Sequence, residues 1–334
     1  MLKRIMLVLV AGALAACAGA LPLAEAPERD DAAGLGPPDL TRLRVAGTQI
    51  VNARGQPVVL RGVNRPGLEL DETGYERFTE ADIGLMAQYG ANVVRLPINP
   101  VWYLDQGRPA YRRRVAEVVT WAERHGMYTL LDLHWSNPDS TAVCRPDMVQ
   151  ATAFWRTAAE TFAGRPAVLY DIYNEPCQIT WEEWAPLAEA LIDAVRSAEP
   201  EGLVLVPGVD WSYDLRGVLE RPIQREQVVY KAHDYPWKAY LPREAAYGFL
   251  ADHYPVVLGE FGADGRVRFG FWADPEWYGR EVIGYAEARG LDGWIAWAWH
   301  IHTPPNLFAD WMYTPTPFGA VVLEALQAAR GTGR

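Results

Sequence analysis

The stretch Ala167-Val-Leu-Tyr-Asp-Ile-Tyr-Asn-Glu-Pro176 is an apolar run that ends in an amide and a carboxylate, Asn174 and Glu175. A second run, Pro255-Val-Val-Leu-Gly-Glu-Phe-Gly262, ends in a similar way at Glu260. Short apolar runs rich in β-branched residues are typical of buried strands. A carboxylate at the end of a buried strand needs a partner or a function that offsets its desolvation. The two glutamates are therefore the first candidates for chemistry.

Six further runs of this kind bring the number of predicted barrel strands to eight. The eight predicted strands are Val58–Asn64, Ala91–Ile98, Tyr128–Trp135, Ala167–Asn174, Leu203–Pro207, Val228–Asp234, Pro255–Glu260 and Gly293–Trp299. Helical patterns alternate with them at 79–90, 111–125, 146–162, 181–198, 242–253, 275–289 and 318–329, and a weaker one lies near 214–219. Eight units of apolar strand and helix favour a single α/β domain, a (β/α)8 TIM barrel. We expect an N-terminal β-hairpin over 43–59, with its turn at Asn52–Gly55, to cover the bottom of this barrel.

Polar and aromatic residues stand at or just after the C-terminal ends of these strands. They are Arg95, His134, Asn174, Glu175, Trp211, His233, Tyr235, Glu260, Trp297, Trp299 and His300. Each one alone fits a structural role, such as a salt bridge, a core histidine or barrel packing. A role in stability would not favour the upper rim, which is where (β/α)8 barrels place their sites. The whole set therefore predicts one site at that rim.

Seven short motifs follow one another along the predicted strands. They are Arg61-Gly-Val-Asn64, Asn92-Val-Val-Arg-Leu-Pro97, Leu131-Asp-Leu-His-Trp135, Tyr173-Asn-Glu-Pro176, His233-Asp-Tyr235, Gly259-Glu-Phe-Gly262 and Trp294-Ile-Ala-Trp297. In this order they resemble glycoside hydrolase family 5, of the clan of retaining (β/α)8 glycosidases, over residues 58–299. The resemblance implies that Glu175 is the acid/base and Glu260 the nucleophile. It also implies a shell around the cleaved sugar, made of Arg95, His134, Asn174, His233, Tyr235 and Trp297. Trp299 competes with Trp297 for the stacking role, because the two face the same way in a strand.

The chemistry of these residues suits glycoside cleavage. The reaction needs a carboxylic acid for the leaving oxygen and a carboxylate for the anomeric carbon. Asn174 can bond the sugar 2-hydroxyl, and Tyr235 and Arg95 can hold Glu260 ionised. Indoles stack on sugar faces, and six tryptophans fall in or near predicted βα-loops: Trp102, Trp135, Trp211, Trp237, Trp297 and Trp299.

We therefore expect a retaining, endo-acting β-glycosidase that needs no cofactor and no metal. A β-1,4-glucan is the favoured substrate, because the motif contexts resemble bacterial endoglucanases of the family. Mannan, xylan, mixed-linkage glucan and a glycolipid headgroup stay open as substrates. Two other classes are alternatives: a metal-dependent barrel hydrolase that uses His300 and His302, and a sugar-binding protein that has lost catalysis. The first lacks a His-x-His pair on the first strand, and the second does not require both glutamates.

Composition limits the partners. The chain has 334 residues, of which 50% are hydrophobic and 22% charged, so it can bury a substantial core. Its formal charge of −11, which becomes −13 without Lys3 and Arg4, disfavours nucleic acid and polyanionic sugars. We expect a monomer that acts on a neutral polysaccharide or oligosaccharide.

The N-terminus predicts export. Lys3 and Arg4 precede an apolar run over 5–16, which is typical of a signal peptide, and Leu14-Ala-Ala-Cys17 resembles a bacterial lipobox. We expect residues 1–16 to be the signal peptide, 17–40 a lipidated Cys17 with a flexible tether, and 41–334 the catalytic domain. The protein would then be anchored on the outer side of a bacterial membrane. An ordinary signal peptide with an incidental Cys17 would instead give a secreted protein.

The other two cysteines follow the ends of neighbouring predicted strands. Because an exported protein favours disulfides, we expect Cys144 and Cys177 to be bonded beside the catalytic acid. Two free buried thiols are the alternative.

Overall fold

A computed structural model describes residues 40–71, 78–134 and 143–330 of the chain. The predicted signal peptide, Cys17, nearly all of the tether and Trp135 lie outside the described residues. The described residues belong to one compact unit.

Eight parallel strands close into a barrel, so the predicted fold is confirmed. Around the barrel the order is β10-β3-β4-β5-β6-β7-β8-β9, and each neighbouring pair is parallel. The strands are β1 Arg44–Ala46, β2 Gln49–Val51, β3 Leu60–Asn64, β4 Val93–Ile98, β5 Tyr128–Leu133, β6 Val168–Asp171, β7 Val204–Pro207, β8 Val228–Asp234, β9 Val256–Phe261 and β10 Gly293–Ala296. Every residue of the eight barrel strands is buried, which explains why they are apolar runs without alternation.

Helices surround the barrel in the predicted order. They are α1 Leu68–Asp71, α2 Glu80–Tyr89, α3 Pro100–Leu104, α4 Pro109–Arg124, α5 Met148–Phe162, α6 Trp181–Arg196, α7 Val209–Ser212, α8 Arg243–Ala246, α9 Pro275–Arg289 and α10 Pro317–Arg330. Helix α2 has the predicted ends, because the Thr79 amide donates to Asp82 at 2.7 Å and Gly90 ends it at a φ of 106°. None of the helices within the described ranges is long and apolar enough to cross a membrane.

Two predicted helices are shorter than expected. The segment 242–253 is divided into α8 and a 3₁₀ turn at Gly248–Asp252, with Tyr247 between them. Tyr247 is buried and its hydroxyl bonds Asp234, so a tertiary contact replaces the continuous helix. The weak pattern after β7 forms only the 3₁₀ turn Arg216–Val218.

The N-terminal hairpin is present, and the predicted turn at Asn52–Gly55 connects β2 to an antiparallel bridge between Val51 and Pro57. The structure adds an earlier turn that the sequence analysis did not predict. Strands β1 and β2 pair antiparallel around Gly47 and Thr48, and Asn52–Gly55 forms a second turn after β2. Gly47 has a φ of 64°, which suits the tight connection. Leu43 and Ile50 pack against the inward-facing residues at the N-terminal ends of the barrel strands. The hairpin therefore covers the bottom of the barrel and leaves the opposite rim for the site.

Candidate active site

Glu175 and Glu260 meet at the C-terminal rim of the barrel. Glu260 lies in β9, and Glu175 lies four residues after the end of β6. One carboxylate oxygen of each, together with a ring nitrogen of His233, lies within 4.8 Å of the others. The Glu260 side chain is 5% exposed and that of Glu175 is 19% exposed, so both carboxylates are largely removed from water.

Arg95 is the centre of the charge network below the two glutamates. This residue of β4 is fully buried and donates from Nη1 to Glu260 Oε1 at 2.7 Å. Its Nε donates to Asp171 Oδ2 at 2.8 Å, and its Nη2 lies 3.0 Å from Asp132 Oδ2. Burial would lower the pKa of Arg95, but the three carboxylates outweigh it and raise that pKa. Arg95 is therefore a permanent cation beside Glu260.

Lys231 is a second buried cation, and the sequence analysis missed it. Its Nζ donates to both oxygens of Asp171 at 2.7 Å and to the backbone oxygens of Tyr173 and Asn174 at 3.0 and 3.1 Å. Burial lowers the pKa of Lys231 and raises that of Asp171, although each faces the charge of the other. A lysine within the apolar strand β8 was the available signal. Lys231 holds the backbone that leads to Glu175.

Glu260 accepts a second hydrogen bond from Tyr235. The Tyr235 hydroxyl donates to Glu260 Oε2 at 2.7 Å, while Arg95 occupies Oε1. Burial, with the charge of Glu260 next, raises the pKa of Tyr235 well above its ordinary value, so the phenol stays a neutral donor. A carboxylate that accepts from a guanidinium and a phenol is favoured in its charged form and has a fixed orientation.

Glu175 lies in the opposite electrostatic setting. Burial, and then the charge of Glu260, raises the pKa of Glu175 to about 8. Its Oε1 is 2.8 Å from His233 Nδ1. Burial, followed by the nearby cations Lys231 and Arg95, lowers the pKa of His233 well below its ordinary value. At neutral pH a neutral imidazole therefore contacts a protonated carboxyl, which is the form that a general acid requires.

A local irregularity in the pairing of β8 with β9 gives His233 its position. The register between β8 and β9 shifts at Ala232 and His233, after which His233 pairs with Glu260. Such irregularities re-aim side chains next to active sites. Gly259 makes room for this arrangement, because a β-carbon there would lie 2.6 Å from Lys231 Cδ and 3.1 Å from His233 Nε2.

Asn174 and His134 complete the polar floor. Asn174 Oδ1 accepts from Arg95 Nη2 at 2.9 Å, which leaves the amide NH2 group as a donor for a ligand. His134 Nδ1 lies 2.5 Å from Asp132 Oδ2, and its ring stacks on Trp297 with centroids 5.3 Å apart. Burial alone would raise the pKa of Asp132, but Arg95 and His134 lower it.

A pocket of about 550 Å³ opens above the two glutamates. It is lined by His134, Asn174, Glu175, Asp210, Trp211, Tyr235, Trp237, Lys238, Tyr240, Glu260, Arg268, Phe269, Trp297, Pro304 and Pro305. Most of the predicted site residues thus share one concave, partly aromatic site. Arg95 and His233 lie beneath it, fully buried. Lys238, Tyr240, Arg268 and Phe269 are lining residues that the sequence analysis did not identify.

Trp299 was wrongly predicted to be a substrate-binding residue of the site. The strand β10 ends at Ala296, so the two tryptophans do not share the face of a strand. Trp297 lines the pocket, whereas Trp299 is fully buried against Tyr89 and Phe308. Trp299 therefore belongs to the core.

Two other tryptophans from βα-loops have different positions. Trp102 packs under Arg108 and against Tyr111, and Trp237 stacks on Tyr235 with ring centroids 4.6 Å apart. Of the histidine pair considered for a metal site, His300 is buried and accepts from the backbone amide of His302 through Nδ1 at 2.8 Å.

A disulfide joins the two loops beside Glu175. The structure bonds Cys144, which precedes α5, to Cys177, two residues after Glu175. The Cys177 amide also donates to the Cys144 oxygen at 3.0 Å. The loops after β5 and β6 are thus tied together next to the candidate acid.

Fold and site together define a class of protein. A (β/α)8 barrel with two carboxylates at its C-terminal rim, one protonated and one held by a cation, has the features of a glycosidase site. Residues 51–303 match the model of the cellulase family, glycosyl hydrolase family 5. The chain belongs to this family, as its motifs predicted.

Characterised relatives carry names that agree with the family. Similarity is found to an endoglucanase of Clostridium saccharobutylicum, with 27% identity over 202 residues, covering 58% of this chain and 43% of the relative. Endoglucanase E-5 of Thermobifida fusca is 25% identical over 235 residues, covering 67% and 48% of the two chains. The chain thus spans about half the length of the curated relatives it matches.

Solved structures share the fold. The β-glucanase SdGluc5_26A from Saccharophagus degradans superimposes with a TM-score of 0.77 and 27% identity, over 87% of this chain and 94% of that one. That protein has also been crystallised in complex with cellotetraose. The catalytic domain of Thermobifida fusca endoglucanase Cel5A has a TM-score of 0.73 at 22% identity, over 88% and 100% of the chains, a likeness in fold.

Proposed function

We propose that this protein is a retaining, endo-acting β-glycosidase that hydrolyses a neutral β-1,4-linked glucan by double displacement. The observation that carries the proposal is the pair of carboxylates with opposite surroundings. Glu260 accepts from Arg95 and Tyr235, and Glu175 has its pKa raised to about 8. Family membership and relatives named endoglucanase or β-glucanase support glucan as the substrate.

The separation of the two carboxylates supports retention. Retaining enzymes place the two groups about 5–5.5 Å apart, whereas inverting enzymes leave about 6.5–9.5 Å for a water molecule. Here the nearest oxygens lie within 4.8 Å of each other. Glu260 would attack the anomeric carbon while Glu175 protonates the leaving oxygen. Glu175 would then deprotonate the water that releases the sugar from Glu260.

The other residues have defined parts in this reaction. The free NH2 group of Asn174 can donate to the sugar 2-hydroxyl, because its oxygen is held by Arg95. Trp297, held by its stacking on His134, offers an indole to the sugar between the glutamates. Trp211, which is 42% exposed, offers a second indole close to Glu175, since its amide donates to the Pro176 oxygen at 2.9 Å.

A panel of soluble polysaccharides tests the function. We expect the purified protein to release reducing ends from hydroxyethyl cellulose faster than from mannan, xylan or mixed-linkage glucan, and Glu260→Gln to abolish the release. A faster release from another polymer would keep the mechanism and change the substrate. Binding without hydrolysis by the unmodified protein would instead support a sugar-binding protein.

We also propose that the protein is exported and anchored through Cys17. The support is the basic pair Lys3 and Arg4, the apolar run and the Leu-Ala-Ala-Cys sequence before a segment rich in Ala and Pro. Expression of the full chain in a bacterium with radiolabelled palmitate tests this. The unmodified protein should incorporate label and partition with membranes, and Cys17→Ala should do neither.

A further inference from the structure

The loop after β9 ends in a tight hairpin with an aromatic residue at its tip. The Arg268 amide donates to the Phe271 oxygen and the Phe271 amide donates to the Arg268 oxygen, each at 2.9 Å. Phe269 and Gly270 are thus the two central residues of the turn, with φ angles of 52° and 83°. Two positive φ angles define a type I′ turn, in which Asn, Asp or Gly normally takes the first position.

Phenylalanine is an unfavourable residue at the first central position of this turn, because of both its backbone conformation and the exposure of its side chain. Its β-carbon makes the left-handed conformation strained, and its side chain is 84% exposed, so burial does not offset that strain. Asparagine would suit the turn better on both counts. Stability therefore does not explain the phenylalanine, and a residue held against its backbone preference points to a function.

The ring stands in the active-site pocket. Phe269 and Arg268 both line the pocket that contains Glu175 and Glu260. The Phe269 ring meets Trp237 edge to face, with centroids 6.0 Å apart. Trp237 stacks in turn on Tyr235, which donates to Glu260. Two aromatic contacts thus connect the hairpin tip to the partner of the candidate nucleophile.

The base of the hairpin is fixed, so the ring has a defined place. Arg268 Nη2 donates to Asp264 Oδ2 at 2.7 Å, and the Trp272 indole donates to the Gly265 oxygen at 3.0 Å. The Arg268 guanidinium also lies 6.0 Å from the Trp237 ring centroid. An aromatic ring on a fixed support loses little conformational entropy when a ligand packs on it.

We propose that Phe269 is a substrate-binding residue whose ring packs on a pyranose next to the sugar held between the two glutamates. This inference rests on the proposed function, because it assigns the ligand as a neutral glycan. The C–H face of a pyranose is the chemical feature that an exposed aromatic ring recognises. The contact is therefore expected with whichever β-linked polymer the enzyme prefers.

The test is Phe269→Asn, which removes the ring and suits the turn. We measure kcat and KM on the polymer of the four-member panel that the unmodified protein cleaves fastest. We measure binding by affinity electrophoresis in four gels, each of which contains one polymer of the panel. We expect kcat/KM to fall about 5- to 10-fold, mainly through KM, with weaker retardation in the gel and an equal or higher Tm. Phe269→Trp should stay within about twofold of the unmodified protein. Val267→Asn, which changes another exposed apolar residue of the same loop, should have no effect.

Several outcomes would overturn the inference. Unchanged kcat/KM and retardation in Phe269→Asn would do so, as would a fall in Tm together with kcat, which would show a structural role. A loss in Phe269→Trp equal to that in Phe269→Asn would exclude stacking. If the unmodified protein sediments as a dimer and Phe269→Asn as a monomer, the ring belongs to an interface between copies. Failure of the proposed function is distinct, because the unmodified protein would then cleave none of the four polymers, while the gel still reports on Phe269.

Discussion

Glu175 and Glu260 share one pocket, but the protein surrounds them differently. Glu260 accepts hydrogen bonds from Arg95 and Tyr235 at 2.7 Å each, and both donors favour a carboxylate. Glu175 contacts a neutral imidazole, and burial with the charge of Glu260 raises its pKa to about 8. This difference in surroundings supports the proposed roles of Glu175 as the acid and Glu260 as the nucleophile.

The coupling between the two carboxylates can be measured. Charges within 4.8 Å repel by about 3 kcal/mol at an effective dielectric near 20, which corresponds to roughly two pKa units. We expect Glu260→Gln to lower the pKa of Glu175 by a unit or more, as carbon NMR of the labelled carboxyl would show. Asp193→Asn, which changes a surface carboxylate, is the control and should leave that titration unchanged. An unchanged titration in Glu260→Gln would contradict the coupling.

The two roles can be separated by azide. In Glu175→Ala, a substrate with a good leaving group should still glycosylate Glu260, and azide should then give a β-glycosyl azide. In Glu260→Ala, azide should enter the vacated space and give the α-azide directly. NMR of the products distinguishes the anomers. Opposite anomers would exchange the roles, and an inverted product from the unmodified enzyme would exclude double displacement.

At the scale of elements, buried charges join strands β4, β5, β6 and β8 beneath the site. Arg95 of β4 contacts Asp132 of β5 and Asp171 of β6, and Lys231 of β8 contacts the same Asp171. All four side chains have no exposed surface. Such a network is expensive to desolvate, and it fixes the backbone on which the catalytic groups depend.

Removal of Lys231 should damage both stability and activity. Lys231→Met removes one of the two cations that compensate the charge of Asp171. We expect the free energy of unfolding, measured by chemical denaturation, to fall by about 3–5 kcal/mol. We expect kcat to fall as well, because the backbone oxygens of Tyr173 and Asn174 lose their donor.

Two further variants control this prediction. Asp171→Asn in the Lys231→Met background should recover part of the lost stability, because the uncompensated charge disappears. Arg225→Met breaks the exposed pair with Asp193 and should change stability by less than about 1 kcal/mol. Equal effects of Lys231→Met and Arg225→Met would show that the buried network has no special role.

For the whole molecule, the raised pKa of Glu175 sets a dependence of stability on pH. The folded protein keeps this proton up to pH about 8, whereas an ordinary glutamate releases it near 4.5. Between these values the folded state binds more protons than the unfolded state, so the free energy of unfolding falls as pH rises. The contribution of Glu175 to the free energy of unfolding is therefore larger at low pH than at pH 8.

Glu175→Gln should remove this dependence. We expect the stability of the variant relative to the unmodified protein to rise by about 3–4 kcal/mol from pH 5 to pH 8. The pKa difference spans most of this pH range, and one pKa unit corresponds to about 1.4 kcal/mol. Calorimetric Tm values at both pH values measure the gain. Glu183→Gln, which changes an exposed carboxylate, is the control. A difference in Tm that is the same at pH 5 and pH 8 would contradict the raised pKa.

The sequence by itself determined the barrel, the order of its units and the identity of the two glutamates. All eight barrel strands overlap the predicted runs, and α9 has the predicted limits, because apolar periodicity and capping residues act over a few neighbouring positions. The position of Glu260 at the end of a strand could also be predicted, because the apolar run Pro255–Glu260 ends there.

Only the tertiary structure decided which side chains meet in space. Lys231, Asp132 and Asp171 read as interruptions of apolar strands, and their pairing depends on contacts between β4, β5, β6 and β8. Trp299 was placed in the site because a strand was extended to it, whereas β10 ends at Ala296. Phe269 gave no local signal, because its role depends on a turn conformation and on Trp237 from another loop. Local sequence sets periodicity and chain reversal, but the partners of a buried charge or an exposed ring come from distant segments that only the closed barrel brings together.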